Sequence, residues 1–165
     1  MGAMTAAFVR SPELLTAAHH LERFACARPE LADWLRTRAL PNQSSGSSRT
    51  YVVTSPDDPM EVVGFYALAP GAIDPRQATG ALRRNAPSPL PVFLLARLAV
   101  HDGWVGRGLG HGLLKDAYLR ARQAAAIVGG KALVTHAIDD AAKRFHLKHG
   151  FVPSPLHPLT LMIGL

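Results

Sequence analysis

The spacing of apolar residues changes along the chain between helical and strand-like periods, and each change marks a predicted element. Leu31, Trp34 and Leu35 recur at helical spacing, whereas residues 62–68 form a β-branched and aromatic run typical of a strand. The predicted helices are one begun by Ser11-Pro12-Glu13, 30–40, 109–127, and a short one that Asp139 or Asp140 caps and Gly150 ends. The predicted strands are 49–54, 62–68, 92–100, 132–138 and 159–163. This order predicts mixed α and β structure around one sheet.

Three segments follow neither period and are predicted to connect these elements. Residues 55–58 form a turn that joins two strands as a hairpin, and 41–48 is a polar loop. Residues 69–91 are rich in proline, glycine and arginine and show no clear period. A connection of that length tends to carry function.

A glycine-rich loop separates the strand at 92–100 from the helix that follows it. Its glycines, at positions 106, 108, 110 and 112, alternate with Arg107, Leu109 and His111. Glycine permits positive φ and a close approach of the backbone to a ligand. The start of a helix adds unpaired N–H groups and the positive end of its dipole. The loop is therefore predicted to hold a phosphate or pyrophosphate group.

Two well-known phosphate-binding loops do not fit this segment. A nucleoside-triphosphate loop needs Lys-Ser or Lys-Thr after its last glycine, and here Leu113-Leu114-Lys115-Asp116 follows. A dinucleotide loop needs a third glycine where His111 stands and a βαβ unit that opens at the loop. The remaining alternative is a plain turn, for which alternating glycines would cost ordering entropy without any gain.

Length and composition indicate one globular domain. The 165 residues suffice for a sizeable core, with a hydrophobic fraction of 48% and a mean hydropathy of +0.08. Residues 1–4 look like a cloning scar, so 5–165 is predicted to be a single domain. No apolar stretch could span a bilayer and no secretory signal is visible, which predicts a cytoplasmic location and no membrane partner. The single cysteine, Cys26, is expected to be a small core residue.

The chain is basic, with a net charge of +6 and a pI near 10.1, which suits an anionic partner. Basic residues concentrate in two places, which contain Arg76, Arg83 and Arg84, and then Lys143, Arg144 and Lys148. For any one of these residues the alternative is an ordinary solvated face. The histidines show no pair at ligand spacing with a carboxylate or cysteine partner, so no metal site is predicted.

The glycine loop resembles the acetyl-CoA signature of the GNAT-type N-acetyltransferases. In that superfamily a strand with an apolar end precedes Arg/Gln-x-x-Gly-x-Gly/Ala. Here Leu98-Ala99-Val100 precedes Val105-Gly106-Arg107-Gly108-Leu109-Gly110. Val105 replaces the usual Arg or Gln, and Arg107 is a candidate for the compensating charge. A second GNAT motif, Asn-x-x-Ala-x-x-x-Tyr-x-x-x-Gly-Phe, is resembled by Asp139, Ala142, His146 and Gly150-Phe151.

The resemblance implies a GNAT fold of the α/β (α+β) class. Its mixed, mostly antiparallel central sheet is flanked by helices and splays in a V between the strands that end near Val100 and Ile138. The resemblance also implies direct transfer from acetyl-CoA as cosubstrate, without a metal. The implied cofactor-binding residues are Leu98, Ala99, Val100, Val105, Gly106, Arg107, Gly108, Leu109, Gly110, Asp139, Ala142 and Phe145.

His146 is the implied catalytic residue, because it stands where the family has the tyrosine that protonates the leaving thiolate. A histidine with an ordinary pKa of about 6.5 is roughly one quarter cationic at pH 7 and would still donate a proton. Three alternatives stay open: a working acid, a natural or engineered attenuating change, and a solvent-facing residue beside an acid elsewhere. A backbone N–H near Val100 is expected to polarise the thioester carbonyl.

Nearly the whole chain is similar to the TacT-like acetyltransferase toxins of toxin–antitoxin modules. The segments that carry this similarity are 32–43, 48–53, 95–100, 136–139 and 150–155. The similarity implies acetylation of the α-amino group of aminoacyl-tRNA, inhibition of translation, a ribbon-helix-helix antitoxin, a homodimer, and operator DNA bound only through the antitoxin complex. The candidate nucleic-acid-binding residues are Arg83, Arg84, Arg97, Lys143, Arg144 and Lys148.

Two other functions remain open beside this one. The first is an ordinary N-acetyltransferase for a protein or small amine. The second is an attenuated CoA-binding pseudoenzyme, an alternative supported by the departures from the family motifs at Val105, Asp139 and His146.

Overall fold

The computed structural model describes residues 9–165, so the predicted scar at 1–4 lies outside the described residues. The helices are α1 (Pro29–Thr37), α2 (Ala39–Ser44), α3 (Gly80–Arg83), α4 (Leu109–Val128) and α5 (Asp140–Lys148). The strands are β1 (Glu13–Leu14), β2 (Arg49–Ser55), β3 (Asp58–Ile73), β4 (Leu90–Val100), β5 (Ala132–His136), β6 (Val152–Pro153) and β7 (Thr160–Gly164). Short 3₁₀ turns occupy Pro75–Gln77 and Asp102–Trp104.

Within the described residues, seven strands hydrogen-bond in the order β1-β2-β3-β4-β5-β7-β6. The pairs β1–β2, β2–β3, β5–β7 and β6–β7 are antiparallel, and β4–β5 is parallel. The mixed, mostly antiparallel sheet of the prediction is therefore present, while the splay near Val100 and Ile138 stays a prediction. The chain divides into two compact units, which are described in turn.

The first unit comprises the described residues up to Leu68 together with Arg97–Ala117. The register of β2 and β3 places Tyr51 opposite Tyr66, and the Tyr66 hydroxyl donates a hydrogen bond to the Asp116 carboxylate. Phe65 is fully buried between the edge of Phe24 and the face of Trp34. Other members of this core are Leu15, Leu31, Leu35, Val52, Val62 and Ala99. Helix α1 thus buries its apolar stripe on one face of these strands.

The second unit comprises Ala69–Ala96 and Tyr118–Leu165. Strand β5 is central, because Val134 pairs with Leu94 of β4 on one side and with Met162 of β7 on the other. The Thr135 hydroxyl donates to the Leu95 carbonyl at 3.2 Å. The core of this unit contains Ile73, Ala78, Leu90, Val92, Ala132, Val134 and Met162. A central, buried position explains why β5 is apolar along most of its length.

The predicted helix begun by Ser11-Pro12-Glu13 is wrong, because Glu13 and Leu14 form β1. The Leu15 N–H donates to the Thr50 carbonyl at 2.8 Å, and the Leu15 side chain is 1% exposed. Pairing at the edge of β2 and burial of Leu15 outweigh the local helix-start signal.

The predicted loops are more structured than their composition indicates. Segment 41–48 is helical as far as Ser44, because Pro41 lies in the first turn of α2, where no intrahelical bond is lost. Segment 69–91 contains the end of β3, a 3₁₀ turn, α3 and the start of β4. Gly71 hides the strand from the sequence pattern, yet a Cβ at that position would lie 2.8 Å from the Leu94 side chain. Strand β6 was not predicted at all.

We expect Gly130→Ala to lower the free energy of unfolding by about 2 kcal/mol. Gly130 has φ +138, which L residues rarely adopt, and a Cβ there would lie 2.5 Å from the Phe93 ring. Gly129→Ala is the matched control, because its φ is +90 but no atom lies within 4 Å of the added Cβ. Urea unfolding of both variants should show the larger loss at position 130. Equal stability of the two variants would remove the role assigned to the Phe93 contact.

Candidate cofactor-binding and catalytic site

The end of β4 is anchored within the first unit. The His101 N–H donates to the Val63 carbonyl at 2.8 Å, and the His101 Nδ1 accepts from the Ala25 N–H at 3.0 Å. Leu98 and Val100 are half-buried and Ala99 is 7% exposed. Because the His101 N–H is already bonded, it does not serve as the polarising group that is expected near Val100.

The glycine loop begins with the 3₁₀ turn Asp102–Trp104 and ends where α4 starts. Gly106 and Gly108 have φ +82 and +85, so the backbone turns twice within three residues. A Cβ at Gly106 would meet no atom within 4 Å, which shows that conformation rather than space requires glycine there. The loop therefore has the backbone geometry that can turn amide groups toward an anion at the start of α4.

The side chains of the loop differ in their surroundings. Val105 is 66% exposed, whereas Leu109 is 5% exposed and belongs to the core. Only the backbone of Leu109 is therefore available to a cofactor. The Arg107 guanidinium carbon lies 4.6 Å from the centroid of the Trp104 ring. The loop thus presents one cation, which an aromatic ring supports.

In the second unit, Asp139 caps α5 as predicted. Its carboxylate accepts a hydrogen bond from the Ala142 N–H at 2.9 Å. An acidic cap at a helix N-terminus satisfies an unpaired donor and interacts favourably with the helix dipole. The carboxylate at the motif position of the family Asn therefore has a structural function in starting the helix that carries His146.

His146 is buried on α5, with 6% of its surface exposed. Its ring centroid lies 5.2 Å from those of Phe145 and Phe151. Burial first, and then the nearby His149, lower the pKa of His146 to about 4. The Nδ1 atom finds no hydrogen-bond partner within residues 9–165. The alternative of a solvent-facing residue is wrong.

The low pKa also corrects the expected charge of His146. At pH 7 a group with a pKa of about 4 is protonated in about one molecule in a thousand, not in one quarter of them. Burial beside the rings of Phe145 and Phe151 excludes water that would stabilise the cation. At neutral pH His146 therefore presents a neutral imidazole.

The candidate nucleic-acid-binding residues are distributed over both units. Arg83 and Arg84 are exposed at the end of α3, in the second unit. Arg144 and Lys148 are one helical turn apart on the exposed face of α5, about opposite His146 at roughly 100° per residue. Lys143, the third basic residue of this cluster, is half-buried and lies three positions before His146.

Arg97 belongs to the first unit, and its guanidinium carbon lies 5.1 Å from the Trp34 ring centroid. Arg76, from the same basic cluster as Arg83 and Arg84, pairs with Asp74 at 2.7 Å. Both side chains therefore have local partners. All three arginines of that segment are exposed, but within residues 9–165 only Arg76 pairs with a carboxylate.

Residues 47–153, more than half of the chain, match the family model described as acetyltransferase (GNAT) domain. The chain belongs to the GNAT acetyltransferase family. The match includes the glycine loop and α5, and the predicted GNAT fold is confirmed.

The acetyltransferase is 45% identical over 153 residues to a tRNA-acetylating toxin of Mycobacterium tuberculosis, a match that covers 93% of this chain and 90% of the relative. It is similar to the structure of AtaT complexed with acetyl-methionyl-tRNAfMet, with a TM-score of 0.86, 24% identity, and coverage of 93% of this chain and 94% of that chain. It is also similar to an AtaT mutant toxin bound to the C-terminus of the antitoxin AtaR and acetyl-CoA, with a TM-score of 0.78, 25% identity, and coverage of 93% and 92%.

The acetyltransferase shows no group of three or more His, Cys, Asp or Glu side chains arranged to hold a metal ion in the part of the chain that the structure describes. Between residues 9 and 165, no helix has both the length and the apolar character needed to cross a bilayer. Cys26 packs against the core, its thiol donates to the Arg28 carbonyl at 3.1 Å, and burial raises its pKa. A raised pKa disfavours the nucleophilic thiolate.

Sequence reasoning missed Trp104 as a residue of the acetyltransferase loop. The signal was present, because Trp104 precedes Arg107 by three positions across a glycine-rich turn. What the sequence does not contain is the 3₁₀ turn, which brings the ring under the guanidinium.

Proposed function

We propose that this acetyltransferase transfers the acetyl group of acetyl-CoA to the α-amino group of aminoacyl-tRNA and thereby inhibits translation as a toxin. The single observation that carries this proposal is its similarity, over nearly its whole length, to a tRNA-acetylating toxin. The basic net charge of +6 suits a polyanionic substrate.

The glycine loop is the proposed binding site of the CoA phosphates. The positive φ of Gly106 and Gly108 and the start of α4 supply backbone amides for an anion. The apolar end of β4, with Leu98, Ala99 and Val100, is the proposed support for the acyl end of the cofactor. A structure of the related AtaT toxin with acetyl-CoA supports this assignment.

Direct transfer asks the protein chiefly to hold two reactants together. The amine nitrogen forms a bond to the thioester carbonyl carbon and loses one proton to water, the carbon–sulfur bond breaks, and the CoA thiolate takes up a proton. Holding amine and thioester in line can supply roughly 7–11 kcal/mol. His146 is proposed to occupy the proton-donor position, where its neutral imidazole N–H donates a hydrogen bond to the leaving sulfur while the proton itself comes from solvent.

An α-amino group suits a site without a strong general base. With a pKa of about 7.7–8.0, an α-amine is neutral in roughly a tenth of molecules at pH 7, whereas a lysine amine with a pKa of about 10.4 is neutral in fewer than one in a thousand. Only the neutral amine attacks a carbonyl. This difference supports aminoacyl-tRNA over a lysine side chain as acceptor.

The proposed partners follow from the same similarity. They are an aminoacyl-tRNA substrate, a ribbon-helix-helix antitoxin, a second copy of the chain in a homodimer, and operator DNA bound only through the antitoxin complex. The structure of an AtaT toxin with its antitoxin supports the antitoxin part. A cytoplasmic location, where charged tRNA is found, completes the proposal.

An attenuated enzyme is the second candidate, because the neutral imidazole of His146 is a much weaker acid than the tyrosine hydroxyl of the family. The experiment that decides between them incubates the chain with acetyl-CoA and total charged tRNA and reads the aminoacyl ends by mass spectrometry. Acetylated aminoacyl ends support the proposal. Acetylation of free amines without charged tRNA would favour an ordinary acetyltransferase, and no turnover of any amine would favour a CoA-binding pseudoenzyme.

We expect Arg83→Glu with Arg84→Glu to raise the KM for charged tRNA about tenfold at low salt and to leave kcat nearly unchanged. The two exposed guanidinium groups are proposed to neutralise phosphates without reading sequence. Lys115→Glu with Arg122→Glu is the control, because it makes the same change in net charge at exposed positions on α4. Unchanged acetylation of tRNA at low and at moderate salt would remove Arg83 and Arg84 from the binding surface.

A further inference from the structure

The cation in the glycine loop is in contact with an aromatic ring. The Arg107 side chain is exposed, and within residues 9–165 it forms no ion pair with a carboxylate. Its guanidinium instead lies 4.6 Å from the Trp104 ring centroid. Trp104 is half-buried, and its backbone N–H donates to the His101 carbonyl at 2.8 Å. A cation–π contact on a half-buried ring restricts an arginine that would otherwise sample solvent freely.

The loop position that carries charge is displaced from the one in the family motif. Val105 is apolar and 66% exposed, so it offers an anion neither charge nor a hydrogen-bond donor. Arg107 lies two residues later, between Gly106 and Gly108, whose φ values are +82 and +85. Arg107 is thus part of the loop whose backbone amides lead into the start of α4. Arginine can donate two parallel hydrogen bonds to one phosphate group.

We infer that Arg107 binds the diphosphate of CoA in place of the side chain that Val105 lacks, and that Trp104 is a positioning residue that holds Arg107 for this contact. The inference rests on the proposed use of acetyl-CoA. Because the arginine is held before the ligand arrives, less side-chain entropy is lost on binding. Trp104 thereby increases cofactor affinity without a contact to the cofactor.

Calorimetric titration with CoA tests both residues. Arg107→Gln should weaken CoA binding about tenfold, since a charge-assisted hydrogen bond is lost. Trp104→Leu should weaken it about threefold, and Trp104→Phe should restore most of the affinity because phenylalanine keeps the cation–π contact. Arg122→Gln is the matched control, because its guanidinium lies over Tyr118 at 5.9 Å and outside the loop. It should bind CoA as the native chain does.

Titration with dephospho-CoA separates the two phosphate sources, because this compound keeps the diphosphate and lacks the 3′-phosphate. Arg107→Gln should lose the same factor with both ligands. A loss confined to CoA would overturn the assignment to the diphosphate. Unchanged affinity of Arg107→Gln would overturn the whole inference, and a Trp104→Phe variant as weak as Trp104→Leu would overturn the positioning role.

Steady-state kinetics distinguish a role in cofactor binding from a purely structural role, because only the former changes the KM for acetyl-CoA without changing kcat. The KM for acetyl-CoA should rise in Arg107→Gln and Trp104→Leu while kcat stays near the native value. A fall in kcat with unchanged KM would contradict the inference. If the native chain itself bound no CoA, the proposed function would fail. Native binding with unaffected variants would instead leave the proposed function standing and reject this inference alone.

Discussion

We expect the replacement of His146 with tyrosine to raise the turnover number for acetyl transfer roughly a hundredfold at pH 7. Burial holds the pKa of His146 at about 4, so its cationic form is almost absent at that pH. A tyrosine with a pKa of about 10 keeps its proton and offers it to the leaving thiolate. General-acid help is typically worth 10²- to 10⁴-fold, and the lower figure applies because a thiol with a pKa of about 8.5 leaves with modest help.

Initial rates with acetyl-CoA and charged tRNA measure this effect. His146→Phe is the matched control, because it has the size of tyrosine without the hydroxyl, and it should turn over no faster than the native chain. The KM for acetyl-CoA should stay similar in all three proteins. A large loss of turnover in His146→Tyr, or equal rates for the tyrosine and phenylalanine variants, would reject His146 as the position of the acid.

We expect acidification from pH 7.5 to pH 4 to lower the free energy of unfolding by about 3 kcal/mol more in the native chain than in His146→Phe. The folded pKa of His146 is about 4, below the value of about 6.5 expected in the unfolded chain. The unfolded state therefore binds more protons between these two values. The contribution of neutral, buried His146 to the free energy of unfolding is fully present above about pH 6.5 and is lost progressively as the pH falls toward 4.

Urea titrations at several pH values between 4 and 7.5 measure this difference, since other groups that titrate in both proteins cancel in the comparison. His157→Gln is the control, because it removes a histidine that is exposed. Its pH dependence should follow that of the native chain. Parallel stability curves for the native chain and His146→Phe would show that burial of His146 does not resist protonation.

Elements with a strong local signal were predictable from the sequence. The helix predicted at 109–127 differs from α4 by one residue at its C-terminal end, because its apolar stripe repeats over five turns. The Asp139 cap was predictable because an aspartate precedes the helical pattern and bonds to a backbone N–H only three residues away. Both signals depend on residues close together in the chain.

Features that depend on distant partners could not be predicted in the same way. Strand β1 forms because β2 offers an edge to Glu13 and Leu14, and no nearby residue indicates that edge. The pKa of His146 depends on how completely Phe145 and Phe151 exclude water from one ring, which the spacing of the motif does not reveal. The glycine loop was predictable only in part. Its positive φ values are expected from the glycines in the sequence, whereas the contact between Arg107 and Trp104 is not.

Leu109 belongs both to the core and to the glycine loop, because its side chain is buried while its backbone begins α4. Packing of the Leu109 side chain therefore restrains the backbone of the loop that is proposed to bind the CoA phosphates. A ligand that binds there would in turn add its binding free energy to the folded state. We therefore expect the temperature of unfolding to rise when the cofactor is bound, and loosened packing at Leu109 to lower both thermal stability and cofactor affinity.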